Sequence, residues 1–145
     1  MKQPTAHWRA PLLSALMAAV VLVVVPVRDA HAQATTLGTW RNPQDSVHVR
    51  AETCEGRICG VVVWASEKAK ADARKGGTNS LVGAQLFRDF IQQSDREWRG
   101  KVYIPDLRQT FTGTVTIVDQ DTIKAQGCLF GRIGCKSQLW KRVSE

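Results

Sequence analysis

Between Trp98 and Val118 the sequence commits itself to one kind of local structure. Phe111, Gly113, Val115 and Ile117 alternate with Thr110, Thr112, Thr114 and Thr116, so one face is mostly apolar and the other is lined with hydroxyls. Lys101 to Ile104 is a second run of β-forming residues, and Pro105-Asp106 between the two supplies a preset φ and a side chain that can bond its own backbone. The stretch predicts an antiparallel hairpin. Its surroundings repeat the pattern. Ser46 to Thr53 places Val47, Val49 and Ala51 opposite His48, Arg50 and Glu52. Gly60 to Ala65 reads as a strand with Val61, Val63 and Ala65 on one face and Val62 and Trp64 on the other. Thr122 to Leu129 and Ser137 to Val143 read as the last two strands, joined around Phe130-Gly131-Arg132-Ile133-Gly134.

Two segments depart from this rhythm. Ser66 to Ser80 is polar, basic and glycine-containing, and reads as a loop or a frayed helix. In the 81–93 segment, Val82, Leu86, Phe90 and Gln93 keep helical spacing, with Phe87 and Ile91 beside that stripe, so one short helix is favoured there, with a bent strand over Leu86 to Ile91 as the open alternative. The whole predicts an all-β fold: a sandwich or a closed barrel of about seven or eight short strands, with one short helix or long loop.

The first 32 residues belong to a different layer of information. Lys2, His7 and Arg9 precede an apolar run from Leu12 to Val25, broken only by Ser14. Ala30-His31-Ala32 then offers a small-x-small cleavage site, with Ala32-Gln33-Ala34 as a second candidate. The run falls short of the ~20 residues a membrane-spanning helix needs. Residues 1–32 are therefore read as a signal peptide and 33–145 as the folded domain, periplasmic or secreted and without a membrane span after cleavage.

Export gives the cysteines a meaning. Cys54, Cys59, Cys128 and Cys135 all lie beyond the leader, where an oxidising compartment favours disulfides. Four cysteines allow three connectivities. Cys54 with Cys59 and Cys128 with Cys135 is the favoured pairing because each would close a hairpin, while cross-pairing between neighbouring strands stays open.

The chain carries a formal net charge of +7. Most of its basic residues are scattered, and the one concentration, Lys68, Lys70, Arg74 and Lys75, has Glu67 and Asp72 inside it. That pattern reads as a solvated segment rather than a nucleic-acid surface. Beyond the leader the only histidine is His48, too few for the usual zinc ligand sets. No serine sits in a nucleophile-elbow context. No catalytic residue, metal or cofactor is expected.

Two features favour closure of the sheet. Gly38-Thr39-Trp40 near the start resembles the Gly-x-Trp of lipocalins and other calycins, and the chain ends in Trp140-Lys141-Arg142. In calycins a terminal Arg lies over the first-strand Trp, so the resemblance implies closure by Gly38, Trp40 and Arg142. A guanidinium suits this role because it stacks on an indole while donating to chain-end carbonyls. Further matches are Ile58-Cys59-Gly60-Val61-Val62-Val63-Trp64, Asn79-Ser80-Leu81-Val82-Gly83, Trp98-Arg99-Gly100-Lys101-Val102-Tyr103-Ile104-Pro105 and Gly127-Cys128. In that order the segments resemble the bacterial domain-of-unknown-function family numbered 2147. The resemblance implies a small exported antiparallel up-and-down β-barrel, calycin-like, with no established ligand. The chain departs from the family's pattern around Pro105, where Ile104 replaces an Asp and Arg108 to Phe111 replaces a Gly-x-x-Tyr.

If the barrel has a ligand mouth, Trp64 and Trp98, which flank the 66–97 segment, are expected to frame it with Asn79, Tyr103 and Phe111. The leading expectation is a non-enzymatic binding protein for a small apolar or amphiphilic ligand or for an envelope component. Inhibition of an envelope or host hydrolase is the alternative, and an envelope hydrolase a third class that the nucleophile inventory disfavours.

Overall fold

The computed structural model describes residues 36–143. The expected signal peptide lies outside the described residues. Eight antiparallel strands follow one another around a closed barrel in sequence order: β1 (Gly38–Arg41), β2 (Val47–Cys54), β3 (Arg57–Ala65), β4 (Gln85–Ser94), β5 (Glu97–Ile104), β6 (Gln109–Asp119), β7 (Thr122–Phe130) and β8 (Ile133–Arg142). The one regular helix among the described residues, α1 (Glu67–Lys75), lies between β3 and β4.

The hairpin expected from the alternating stretch is β5–β6, in unbroken register from Glu97 opposite Thr116 to Ile104 opposite Gln109. Gly113, Val115 and Ile117 face the core, as the alternation predicts. The tight β2–β3 connection places Glu55 and Gly56 at φ of 50° and 77°, the pair of positive values that a two-residue hairpin turn with the right twist requires.

Three expectations need correction. The 81–93 segment contains no helix: Gln85 to Ser94 is β4. Its helical spacing is produced by a β-bulge. Between Arg88 and Ile91 the strand advances three residues while β5 advances two, from Lys101 to Arg99, and Asp89 takes a φ of 54°. Phe87 and Phe90, three apart, both point inward, while Asp89 faces out and pairs with Arg57 at 3.2 Å. The helix lies instead in the polar 66–80 segment. Ser66 caps it by accepting the Ala69 N–H at 3.2 Å, Glu67 sits in the first turn and Arg74 and Lys75 in the last, matching the helix dipole. Only Ala69 and Ala73 touch the core, so the helix carries almost no apolar periodicity.

β3 contains the third departure. Val49 pairs with Val62 but His48 pairs with Trp64, leaving Val63 as an extra residue. Ile58, Gly60, Val62 and Ala65 face inward, and Trp64 is turned out. Val62 and Ala65 thus share the face that strict alternation would deny them.

The barrel is closed by contacts at its seam rather than by a long ladder. β1 pairs with β8 only through Trp40 with Arg142 and Arg41 with Lys141, extended by the Val143 N–H to Thr39 O bond at 2.8 Å. The guanidinium of Arg142 lies 4.1 Å over the Trp40 ring and donates from Nη1 to Leu37 O (2.8 Å) and from Nε to Gln120 O (3.0 Å). Gly38, at φ 114°, leaves the space that guanidinium occupies: a Cβ there would stand 2.6 Å from Nη1. At the opposite end α1 runs from the end of β3 toward the β5–β6 turn. Thr78, just beyond it, fixes that approach by donating to Pro105 O at 2.9 Å.

Candidate functional site

The interior of a closed barrel is where a small ligand could be enclosed, and here it is occupied by the protein's own side chains. Trp40, Trp98, Phe87, Phe90 and Trp140 project into it, with Phe87 edge-on to both Phe90 and Trp140 at 5.7 Å. A void of about 30 Å³ remains, bounded by side chains such as Val49, Ile58, Phe90, Trp98 and Val115. A water needs ~10–15 Å³ on that measure, so the space suits two waters rather than a metabolite. One polar group of this region is unsatisfied by the described residues. Trp98 is 1% exposed and its indole N–H has no hydrogen-bond partner among the described residues.

The five residues expected to frame a mouth are distributed over the barrel. Trp98 is deep inside. Phe111, half-buried, continues the inward face of β6 and stands opposite Val102. Trp64 is 45% exposed on the outer wall, its ring 4.6 Å from that of His48. Tyr103 also faces outward, its hydroxyl 2.8 Å from Thr78 Oγ1 and its ring 4.8 Å beneath the Arg88 guanidinium. Asn79 is exposed on the connection from α1 to β4. The closure trio Gly38, Trp40 and Arg142 does meet.

The disulfides join Cys54 to Cys59 and Cys128 to Cys135, the local pairing. Among the described residues the one grouping of three possible metal ligands is Glu52 with Cys54 and Cys59, and those two sulfurs are bonded to each other. His48 bonds Asp45 Oδ1 at 2.6 Å through Nε2, with no serine hydroxyl in the arrangement. Three of the four cations of the basic segment are paired within it: Lys68 and Lys75 with Asp72, and Lys70 with Glu67. The Lys70 ammonium holds the Glu67 carboxyl below its ordinary value, and hydrogen bonding to Lys68 does the same for Asp72.

The surface feature that sequence reasoning missed is the far end of the β7–β8 hairpin. β8 meets β1 only at its last two residues, so Ile133 to Leu139 have β7 as their one partner strand, and every residue from Ile133 to Leu139 is exposed. The hairpin stays in the barrel wall through the pairing of β7 with β6, which ends at Thr112 opposite Cys128, and beyond that pair its end has no neighbouring strand. Its end carries Leu129, Phe130 and Ile133, exposed by 57%, 76% and 72%. The strands meet through the two-residue turn Gly131-Arg132, and Cys128–Cys135 bridges them immediately behind it. A signal was present: no acidic residue occurs between Asp121 and Glu145, while Lys124, Arg132, Lys136, Lys141 and Arg142 do.

The profile of the family described as "Uncharacterized protein conserved in bacteria (DUF2147)" matches residues 38–142, the full span of the barrel. The chain belongs to this family. Among solved structures, protein HP1028 from Helicobacter pylori, described as belonging to the lipocalin family, is similar with a TM-score of 0.59. The two are 16% identical over 75% of this chain and 83% of that one. This DUF2147 barrel is accordingly lipocalin-like in fold. No curated protein matches the chain.

Proposed function

We propose that the protein is an exported, non-enzymatic binding protein that engages a component of the bacterial envelope through its outer surface. The observation that carries this reading is the filled interior. Small-molecule sites usually enclose ~300–1,000 Å³, and the void of about 30 Å³ falls far below that. A lipocalin-like barrel without a vacant lumen has its outer face left for recognition. Export is supported by the leader expected over residues 1–32 and by two disulfides, which persist in periplasmic or extracellular compartments. Among the described residues no helix is long and apolar enough to cross a membrane.

The test sets the two binding modes against each other. Purified protein is titrated with an apolar dye that fluoresces in hydrophobic cavities, and separately mixed with a washed envelope fraction and sedimented. Retention by the envelope without saturable dye binding is the expected outcome. Stoichiometric dye binding displaced by lipid extract would return the small-ligand reading. The hydrolase-inhibitor alternative draws on the projecting, disulfide-bridged hairpin, a shape suited to entering a cleft. It predicts stoichiometric co-purification of a hydrolase whose activity falls on binding.

A further inference from the structure

We infer that the end of the β7–β8 hairpin is a membrane-docking element that inserts its apolar tip among the headgroups of an anionic bilayer. The inference rests on the surface-binding reading above and names the partner. Three observations support it. The apolar residues stand at the free end of a two-stranded ribbon, past the last pair that joins it to β6, with Phe130 opposite Ile133 across the turn and Leu129 beside them. A flat protein interface is poorly served by such a tip, whose side chains are exposed on both faces of the ribbon. A bilayer surface can surround it.

The charge follows the same geometry. Arg132 lies in the turn itself, and Lys136 is three residues behind Ile133, roughly 10 Å back along a strand rising ~3.3 Å per residue. Interfacial elements bury their apolar parts ~5–10 Å deep. Seating Phe130 and Ile133 at that depth therefore brings Lys136 to the phosphates, while the long Arg132 side chain can reach back to them. With no carboxylate between Asp121 and Glu145, nothing on the ribbon repels an anionic surface. Polybasic segments gain attraction from each cation held close to such a surface. Third, the Cys128–Cys135 bridge ties the two strands directly behind the tip. Less conformational freedom is then lost on insertion.

The probe is a set of vesicles, one of phosphatidylcholine alone and one containing phosphatidylglycerol, with binding read by flotation. The protein should float with the anionic vesicles and at least about 10-fold less with neutral ones, and added salt should release it. F130S/I133S should reduce partitioning by about 10-fold or more, as expected for removing two large apolar groups from the interface. R132E/K136E should abolish the preference for phosphatidylglycerol. All these residues are exposed, so the variants should melt at the parental temperature, which separates loss of docking from loss of fold. Absence of binding to anionic vesicles, or binding indifferent to the tip changes, overturns the inference. So does a concentration-dependent dimer that pairs the outer edge of β8 with a second copy and is lost in the same variants. Retention by whole envelope but not by lipid overturns the lipid assignment and leaves surface binding standing. Retention by neither removes both.

Discussion

Replacing Arg142 tests whether this barrel is held shut where the structure places its seam. Only two residue pairs join β1 to β8, so the side chain that bridges the barrel's first and last strands bears an unusual share of closure. It covers the Trp40 ring at 4.1 Å and donates to Leu37 O and Gln120 O at 2.8 and 3.0 Å. A cation–π contact at a partly desolvated site contributes ~0.5–2 kcal/mol, and each hydrogen bond from a charged donor up to ~1.5–3. The bond to Gln120 is solvent-exposed and belongs at the bottom of that range. Arg142→Met, which keeps the aliphatic cover, should therefore cost about 2–4 kcal/mol. In a domain of this size that lowers the melting temperature by roughly 10–20 °C. Arg142→Lys should recover less than half, because one ammonium cannot stack on the indole and reach both carbonyls together. The assay is thermal and urea unfolding followed by tryptophan fluorescence, with amide exchange at Val143, whose N–H bonds Thr39 O across the seam. An Arg142→Met protein within about 0.5 kcal/mol of the parent, with Val143 still protected, would refute the reasoning.

Three further outcomes are expected. A Cβ on Gly60 would stand 2.5 Å from Phe87 Cδ2 and 2.8 Å from Val49 Cγ1. Gly60→Ala should thus destabilise by ~1–3 kcal/mol, and Phe87→Leu in the same chain should recover part of that in a double-mutant cycle read by urea denaturation. Trp98→Phe removes a buried donor that has no protein partner, which offsets some of the packing lost. It should cost less than Trp40→Phe, whose indole N–H bonds Thr36 O at 2.9 Å, when both are compared by thermal melting. The ion pairs of α1 set a pH window. The folded-state values of Glu67 and Asp72 are depressed, so their contribution is full above the ordinary values of 4.5 and 3.8 and is lost as pH falls through the depressed ones. Lys68 is raised above 10.5 by its bond to Asp72, so its contribution is full below that value and is lost as pH rises through the raised one. Amide exchange in α1 should accelerate at both extremes while the β5–β6 ladder stays protected.

The strands that alternate strictly were legible because a single periodicity governed them. β5–β6 needed no tertiary information, and Gly38-Thr39-Trp40 with Arg142 pointed to the seam through their resemblance to the calycin pattern. What sequence reading missed has a common physical origin in residues whose placement is decided by a partner strand. The extra residue Val63 and the bulge at Asp89 each break the two-residue period, and the second leaves an imprint that resembles a helical one. Helix α1 stands in the sequence only as an alternative to a loop, for the opposite reason. Its stability comes from the Ser66 cap and ion pairs, with two alanines as its only contact with the core. The expected mouth residues were chosen by proximity to a loop, but whether Trp64 faces in or out depends on the bulge one residue before it. The hairpin tip escaped notice because its basic residues were judged against the whole chain, although its distinguishing feature is a local absence of carboxylates.

The bulge in β4 also links the fold to the proposed mode of action. Strict alternation from Phe87 would send Asp89 inward and Phe90 out, giving the barrel a buried carboxylate and a wider lumen. The additional residue reverses both placements: Asp89 meets Arg57 outside, and Phe90 turns in over Gly100, where a Cβ would come within 2.6 Å of its ring. With Phe90 in place, Phe87 packs edge-on against it and against Trp140, so the three rings fill the space in which a lipocalin-like protein would hold cargo. The same rings that stabilise so small a domain leave a void of only about 30 Å³ among themselves. On the proposed reading, recognition falls to what the closed barrel carries outside it, and the most prominent such element is a disulfide-bridged ribbon with an apolar end and no negative charge.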